Sequence, residues 1–323
     1  MFSVWELVLQ QFINGLVIGS FYALVALGYS MVYGIIKLLN FAHGDIYMSG
    51  ALACLAVFGF TSRLVSGWPS AALLLSGWPS VALSFAAAML VAALLGYLAQ
   101  RFAYRPLLGA PRLSLLITAI GVSLIIYNSA MAMTNSKPLF FPVSESGIDN
   151  SAGLSFGNVN VTYMQLAMLA ASAALMAGLT IFIGRTMLGK AMRAIALDKD
   201  TCRLMGVNVN KVIGFTFVLG SALAAAAGGM ACIYYGNVQY NMGYSIGIKA
   251  FTSAVVGGIG SIPGAMMGGL LLGLLEAIGT QFLGQLLGRS GSSWRDVFAF
   301  GLLIVMLVFR PNGLMGKSEI ERM

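Results

Sequence analysis

Ten carboxylates and one histidine are spread over 323 residues, so the places where they interrupt apolar sequence are the first candidates for chemistry. Asn40, His43 and Asp45 fall together within Tyr33 to Gly50, YGIIKLLNFAHGDIYMSG. Polar groups in or near hydrocarbon are costly to leave unpaired, so these three are expected to face a bundle interior and one another. A lone histidine cannot hold a metal, and no cysteine or carboxylate cluster accompanies His43 beyond Asp45. Its two readings are a hydrogen-bonded helix end and a proton relay. Glu276 is the other acid deep in an apolar run, on one helix with Leu272, Gly273, Gly279 and Thr280. No basic partner is evident beside it, so it reads either as a buried hydrogen-bonding group or as a proton-coupling carboxylate.

A second kind of signal is backbone rather than side chain. The segment Gly243 to Gly273 holds GGIGSIPGAMMGG, in which Gly257, Gly258, Gly260 and Pro263 interrupt an apolar run from 246 to 284. That run is too long for one crossing, so two helices or a re-entrant hairpin around Ser261 to Gly264 are expected. Broken helices inside a membrane survive only where they line protein or a cavity. Close backbone packing explains many such glycines. A comparable interruption near 34 to 50 makes a pair, however, and paired interruptions point to a path between internal repeats.

The longest polar connection is Gly189 to Lys211, GKAMRAIALDKDTCRLMGVNVNK. Asp198 is placed to cap a short helix from about Lys199 to Met205, and Gly206 to end it. On helical spacing Ala194, Leu197, Thr201 and Leu204 share a face, with Arg193, Lys199, Asp200 and Arg203 elsewhere. Such an amphipathic helix either docks in another protein's groove or lies on anionic lipid.

The elements that must position these groups follow from composition. The chain is 59% hydrophobic and only 9% charged, against roughly 25% charged in a soluble domain. Apolar runs at 8 to 36, 46 to 65, 80 to 100, 113 to 133, 162 to 184, 211 to 236, 246 to 284 and 296 to 310 leave room for about eight or nine spans at ~20 residues each. They lack period-two alternation, so the fold class is all-α, a polytopic transmembrane helical bundle. It is read as a single domain over 1–323: a first half of about 1–133, an outer loop at 134–161 and a second half at 162–323 containing the connection 185–211. No room remains for an appended catalytic or nucleotide-binding domain.

Three stretches hold 12 of the 18 basic residues: 101–112, 185–211 and 310–322. These are expected to be cytoplasmic. The loop from Thr134 to Val161 carries Lys137 against Glu145 and Asp149 and is expected outside, which also puts the N-terminus outside and Lys37 to Asp45 toward the cytoplasm. The formal charge of +8 therefore sets orientation and implies no nucleic-acid partner. Met1 to Gln10 lacks a basic n-region and cleavage site, so the N-terminus is expected to be retained. Cys54, Cys202 and Cys232 have no metal-ligand spacing and read as small interior residues. The tandem Ser66-Gly-Trp-Pro-Ser and Ser76-Gly-Trp-Pro-Ser reads as a local duplication lengthening an outer loop. There is no GxxxxGK[ST] loop, nucleophile elbow, zinc motif or CxxC pair. No catalytic residues, cofactor or metal are expected, and any energy must come from another polypeptide or an ion gradient.

Three strings, Asn14 to Ala51, Gly189 to Gly228 and Lys249 to Ala277, make the chain resemble the permease subunits of bacterial branched-chain amino-acid ABC importers of the LivH type. Nearly the whole chain follows that order; the duplicated SGWPS region and the loop from Thr134 to Val161 depart from it. The resemblance implies a multi-pass protein of the bacterial inner membrane, not itself an enzyme. It implies a second homologous permease, two cytoplasmic ATPase subunits, a periplasmic substrate-binding protein and surrounding lipid as partners. It also implies that Ala196, Asp198, Thr201, Leu204, Met205 and Gly206 couple to the ATPase. Asn40, His43, Asp45, Gly257, Gly258, Gly260, Pro263 and Glu276 are the candidates for the transport path. The cargo is then leucine, isoleucine and valine or related small amino acids and amides. The alternative is a secondary transporter or channel working alone with Asp45 or Glu276 as coupling group; a membrane-embedded enzyme is more distant, since no catalytic constellation is visible.

Overall fold

The computed structural model describes residues 4–37, 39–67, 77–142, 152–287 and 291–316. Among them run eleven α-helices: α1 (Val4–Ile36), α2 (His43–Gly67), α3 (Trp78–Leu98), α4 (Arg112–Thr134), α5 (Tyr163–Arg185), α6 (Met187–Leu197), α7 (Lys199–Leu204), α8 (Val209–Tyr235), α9 (Met242–Gly257), α10 (Ile262–Leu287) and α11 (Arg295–Phe309). Seven of these, α1 to α5, α8 and α10, are long and apolar enough to cross a bilayer. The shorter apolar helices α9, of 16 residues, and α11, of 15, bring the described bundle to nine membrane-length or near-membrane-length elements. The estimate of eight or nine spans is therefore met by counting one or both of two helices shorter than the ~20 residues of a perpendicular crossing.

The core is arranged around α1. It is apolar all round, which is the pattern of a helix that meets protein on every side, and every residue from Gly19 to Val32 is buried. Against it α10 runs antiparallel, with Gly15 on Leu274 and Gly19 on Leu270; a Cβ on either glycine would lie 2.9 Å from the partner's Cα. Missing side chains thus let the two backbones touch, which is how helices associate when lipid offers no hydrophobic gain. On another side α2 lies along α8, with Gly50 on Ala225 and Gly228 on Tyr47. Helices α3, α4, α5 and α11 turn exposed Leu90, Leu94, Ile117, Ile125, Ile181 and Ile304 outward, the surface a hydrocarbon solvent requires.

The polar ends sort into two. At one, the β2 (Gly153–Phe156) and β3 (Val159–Thr162) hairpin meets the start of α1, where Asn158 donates to Glu6 and the Asn160 N–H donates to Gln10. There β1 (Leu139–Phe140) also pairs with β4 (Asn237–Val238). At the other end lie α6, α7 and the foot of α3, which continues through a π turn, Ala99–Tyr104. The N-terminus of α1 and the 134–162 loop therefore share an end, as the count of crossings requires. Most of the duplicated SGWPS region falls in 68–76, outside the described residues, as does 143–151 of the long loop.

The interruption after α9 sits a few residues before its expected place. The chain turns at Gly258 to Ser261, with Gly258 at φ +104 and Gly260 at φ +91, values that cost a side-chain-bearing residue but not glycine. Ser261 then opens α10, its hydroxyl accepting from the Gly264 N–H at 3.2 Å. Pro263 belongs to the first turn of α10, where its missing N–H costs nothing. The last carbonyls of α9 are covered by the C-terminal turn: the Leu314 N–H donates to Val256 and the Met315 N–H to Gly257.

Candidate functional site

The connection after α5 is built as two capped helices. The Thr186 hydroxyl accepts from the Gly189 N–H and starts α6. Asp198 is extended, at φ −154, so it divides α6 from α7. The single helical face joining Ala194 and Leu197 to Thr201 and Leu204 is therefore not formed, because a capping residue cannot also continue a helix. Asp198 Oδ1 accepts from the N–H groups of Asp200 at 2.9 Å and Thr201 at 3.1 Å, and Oδ2 accepts from the Thr201 hydroxyl at 2.5 Å. These donors, the Thr201 hydroxyl first, hold the Asp198 carboxyl below the usual carboxylate range. Gly206, at φ +81, ends the unit, and the Val207 N–H returns to the Cys202 carbonyl.

What this scaffold presents is apolar. Leu197, Leu204 and Met205 are 90%, 88% and 78% exposed, at the tips of a unit whose opposite face, Met192, Ile195 and Cys202, is buried. Arg193 ties α6 to the end of α5 by donating to the Ile183 carbonyl. Ala196 and Arg193 border a small crevice with Gly34 of α1 and Gly260 of the α9–α10 turn. The two glycine interruptions noted in the sequence thus meet: a Cβ on Gly34 would lie 3.7 Å from Gly260 Cα. The α6–α7 unit packs at their junction.

A cavity of about 640 Å³ opens between α1, α2, α4 and α9. Asp45, in the first turn of α2, reaches its wall, and Oδ2 accepts from the Ser123 hydroxyl of α4 at 2.5 Å. Around it stand Tyr29, Tyr127, Tyr244 and Phe251. A second cavity, of about 470 Å³, lies toward the α6–α7 end and is bordered by Tyr33, Lys37, Val255 and Leu307; it shares Phe251 with the first. Tyr29 and Tyr33 stand four apart on α1, with Lys37 just beyond its end, and Gly247, Phe251 and Val255 recur every fourth residue of α9. One stripe on each helix therefore lines both spaces, since positions four apart share a face.

The other polar residues lie elsewhere. Asn40 and His43 are buried, yet neither bonds Asp45. The Tyr104 hydroxyl donates to Asn40 Oδ1 at 2.6 Å, and His43 stacks edge-on against Tyr29 at 4.9 Å while its ring rests on Gly28. Three groups expected to face one another have instead found separate partners on α3, α1 and α4. Gly257 packs on Gly264, and Gly258 on Gly313 and Gly316 of the C-terminal turn; Pro263 is exposed at the turn.

Glu276 overturns the expectation that no base is near it. Lys249 Nζ donates to Glu276 Oε1 at 3.0 Å, the Arg295 guanidinium lies 3.6 Å from the same oxygen, and the Tyr22 hydroxyl donates to Oε2 at 2.9 Å. Asp296 lies 3.4 Å from Lys249. Two cations and two carboxylates therefore join α9, α10 and α11, with α1 supplying the phenol. A lysine inside an apolar run, 27 residues before a glutamate in the same run, is the signal that could have found this pair. Ser123 and Phe251 carry no such signal, because both residue types are ordinary in membrane helices. Among the described residues no group of three His, Cys, Asp or Glu side chains could hold a metal ion.

Comparison with known proteins finds one matching family model and several relatives. A family model described as the branched-chain amino acid transport system permease component matches residues 11–307. The chain is 45% identical over 314 residues to the high-affinity branched-chain amino acid transport system permease protein BraD of Pseudomonas aeruginosa, covering 97% of each. It is 39% identical over 323 residues to the corresponding LivH protein of Escherichia coli, again covering 97% of each. A probable branched-chain amino acid transport permease protein LivH of Methanocaldococcus jannaschii is 25% identical over 318 residues.

Proposed function

The chain belongs to the family of branched-chain amino acid transport permease components, and we propose from that premise that it is the membrane-spanning subunit of an ATP-driven importer of leucine, isoleucine and valine or related small amino acids and amides. In this reading it pairs with a second homologous permease. Two cytoplasmic ATPase subunits drive the pair, and a periplasmic binding protein delivers the cargo.

The observation that carries the proposal is the α6–α7 unit: a capped scaffold that exposes Leu197, Leu204 and Met205 to no partner within the described residues, while its inner side rests where the α1 and α9–α10 interruptions meet. Apolar tips of this kind fit a hydrophobic groove on another protein. The chain has no phosphate-binding loop of its own, so the groove is assigned to the ATPase. ATP-bound and ADP-bound ATPases would hold α6 differently, and that differential affinity would shift the bundle between outward-open and inward-open states. The glycine contacts between α1 and α10 supply surfaces on which helices move as rigid bodies.

Cysteines at Leu204 and at the ATPase groove should crosslink in the assembled transporter, and Leu204→Asp or Met205→Asp should leave the permease inserted while uptake no longer follows ATP hydrolysis. Unchanged uptake in both variants would remove the docking role. Uptake that follows a proton gradient without any ATPase would favour the secondary-transport reading, with Asp45 as its coupling group.

A further inference from the structure

Resting on the transport reading, we infer that the cavity between α1, α2, α4 and α9 is a holding site for the amino acid in transit, with Asp45 taking the ammonium group and Phe251 forming the inner floor. The volume of about 640 Å³ lies within the ~300–1,000 Å³ of small-molecule sites, which are mostly apolar with a few placed polar groups.

The lining matches one ligand chemistry. Asp45 is the one charged side chain on the wall among the described residues, and its carboxylate is oriented by the Ser123 hydroxyl rather than neutralised by a base. Tyr29, Tyr127, Tyr244 and Phe251 line the same cavity. A carboxylate within an aromatic enclosure attracts a cation, by charge and by ring quadrupole together. Ile120, Leu124 and Ile248 complete an aliphatic wall suited to a branched hydrocarbon. A small aliphatic molecule bearing a primary ammonium group satisfies both halves, whereas an inorganic cation would leave the apolar wall unused and a carboxylic acid without an amine would face Asp45 with like charge.

The floor follows from the stripes on α1 and α9. Phe251 is the residue that borders both this cavity and the one toward the α6–α7 end. It stands two positions from Lys249, which is fixed to Glu276. The helix carrying the floor is thereby tied to α10, the helix that begins at the junction touched by α6. The ring is carried by α9, so a rigid-body shift of that helix would open and close the floor.

The test uses the full chain in its transporter assembly, without the binding protein, carrying Ile248→Cys on the cavity wall. Cys54, Cys202 and Cys232 are buried, and the parent without the new thiol gives the background of labelling by a small thiol reagent. Leucine at about ten times its dissociation constant should slow labelling about tenfold, as simple competition requires. Isopentylamine, which keeps the ammonium group, should protect, and 4-methylpentanoate, which lacks it, should not. Adding Asp45→Asn should abolish protection by leucine while the unprotected rate persists, which shows the variant is folded. Labelling indifferent to leucine, equal protection by the acid, or protection that survives Asp45→Asn would overturn the inference. ATP-driven uptake by the unmutated assembly is measured in parallel: its absence would sink the transport reading, and its presence with indifferent labelling would sink the holding site alone.

Discussion

Lys249 and Glu276 are both almost wholly buried, with side chains 8% and 2% exposed, and each is the other's nearest charged partner, the more exposed Arg295 and Asp296 standing farther off at 3.6 and 3.4 Å. Removing one partner of such a pair leaves an uncompensated charge, typically a loss of about 3–5 kcal/mol, whereas replacing both with neutral groups of similar volume is often far milder. Lys249→Met is therefore expected to lower the thermal unfolding temperature of the purified protein sharply. Lys249→Met with Glu276→Gln should recover much of it, and a double variant no better than the single would show that the pair does not act as a unit. At this scale the sequence is only partly legible. It marks Glu276, Asp45 and His43 as polar interruptions, because charge in hydrocarbon is rare and visible. It does not say which helix answers each one, since that depends on how nine helices are rotated about their axes, and Asn40, His43 and Asp45 consequently find three different partners.

Elements are more legible than residues. The apolar runs 113–133, 162–184 and 211–236 end within two residues of α4, α5 and α8, because the bilayer imposes its own length on each run. The cap at Asp198 and the stop at Gly206 are equally local and equally readable. What spacing alone misses is that the residue capping α7 also ends α6, so the apolar tips come from two helices and not from one continuous face. Asp198→Ala should fray α7 and reduce ATP-driven uptake. Because the folded carboxyl titrates below its unfolded value, the cap is fully present at any pH above the unfolded value, near about 3.9, and is lost only as pH falls through the folded one. The ratio of variant to wild-type uptake should thus stay flat between about pH 6 and 8; a ratio that drifts across that window would mean that another group controls the loop. On α9, Phe251→Ala should let leucine leak through the resting assembly without ATP, with Phe251→Leu restoring the seal. A variant as tight as wild type would show that the ring is not the partition between the two cavities.

As a whole molecule the chain is a set of rigid helices meeting at glycine contacts, with one apolar-tipped unit standing where the two interruptions in its helices come together. Composition alone establishes the membrane class, and the proposed function gives the motor to another polypeptide because the sequence holds no phosphate-binding loop. The junction of Gly34 with Gly260, and the crevice that joins it to α6, is invisible in the sequence because its parts lie more than 200 residues apart. The central claim is that this bundle moves cargo only when moved from α6–α7. Its most direct test is leucine accumulation in proteoliposomes containing the purified chain with and without its permease partner, ATPases, binding protein and ATP. Accumulation should require the complete set, vanish with Leu204→Asp and be indifferent to a protonophore. Steady accumulation by the single chain under an imposed pH gradient would contradict it.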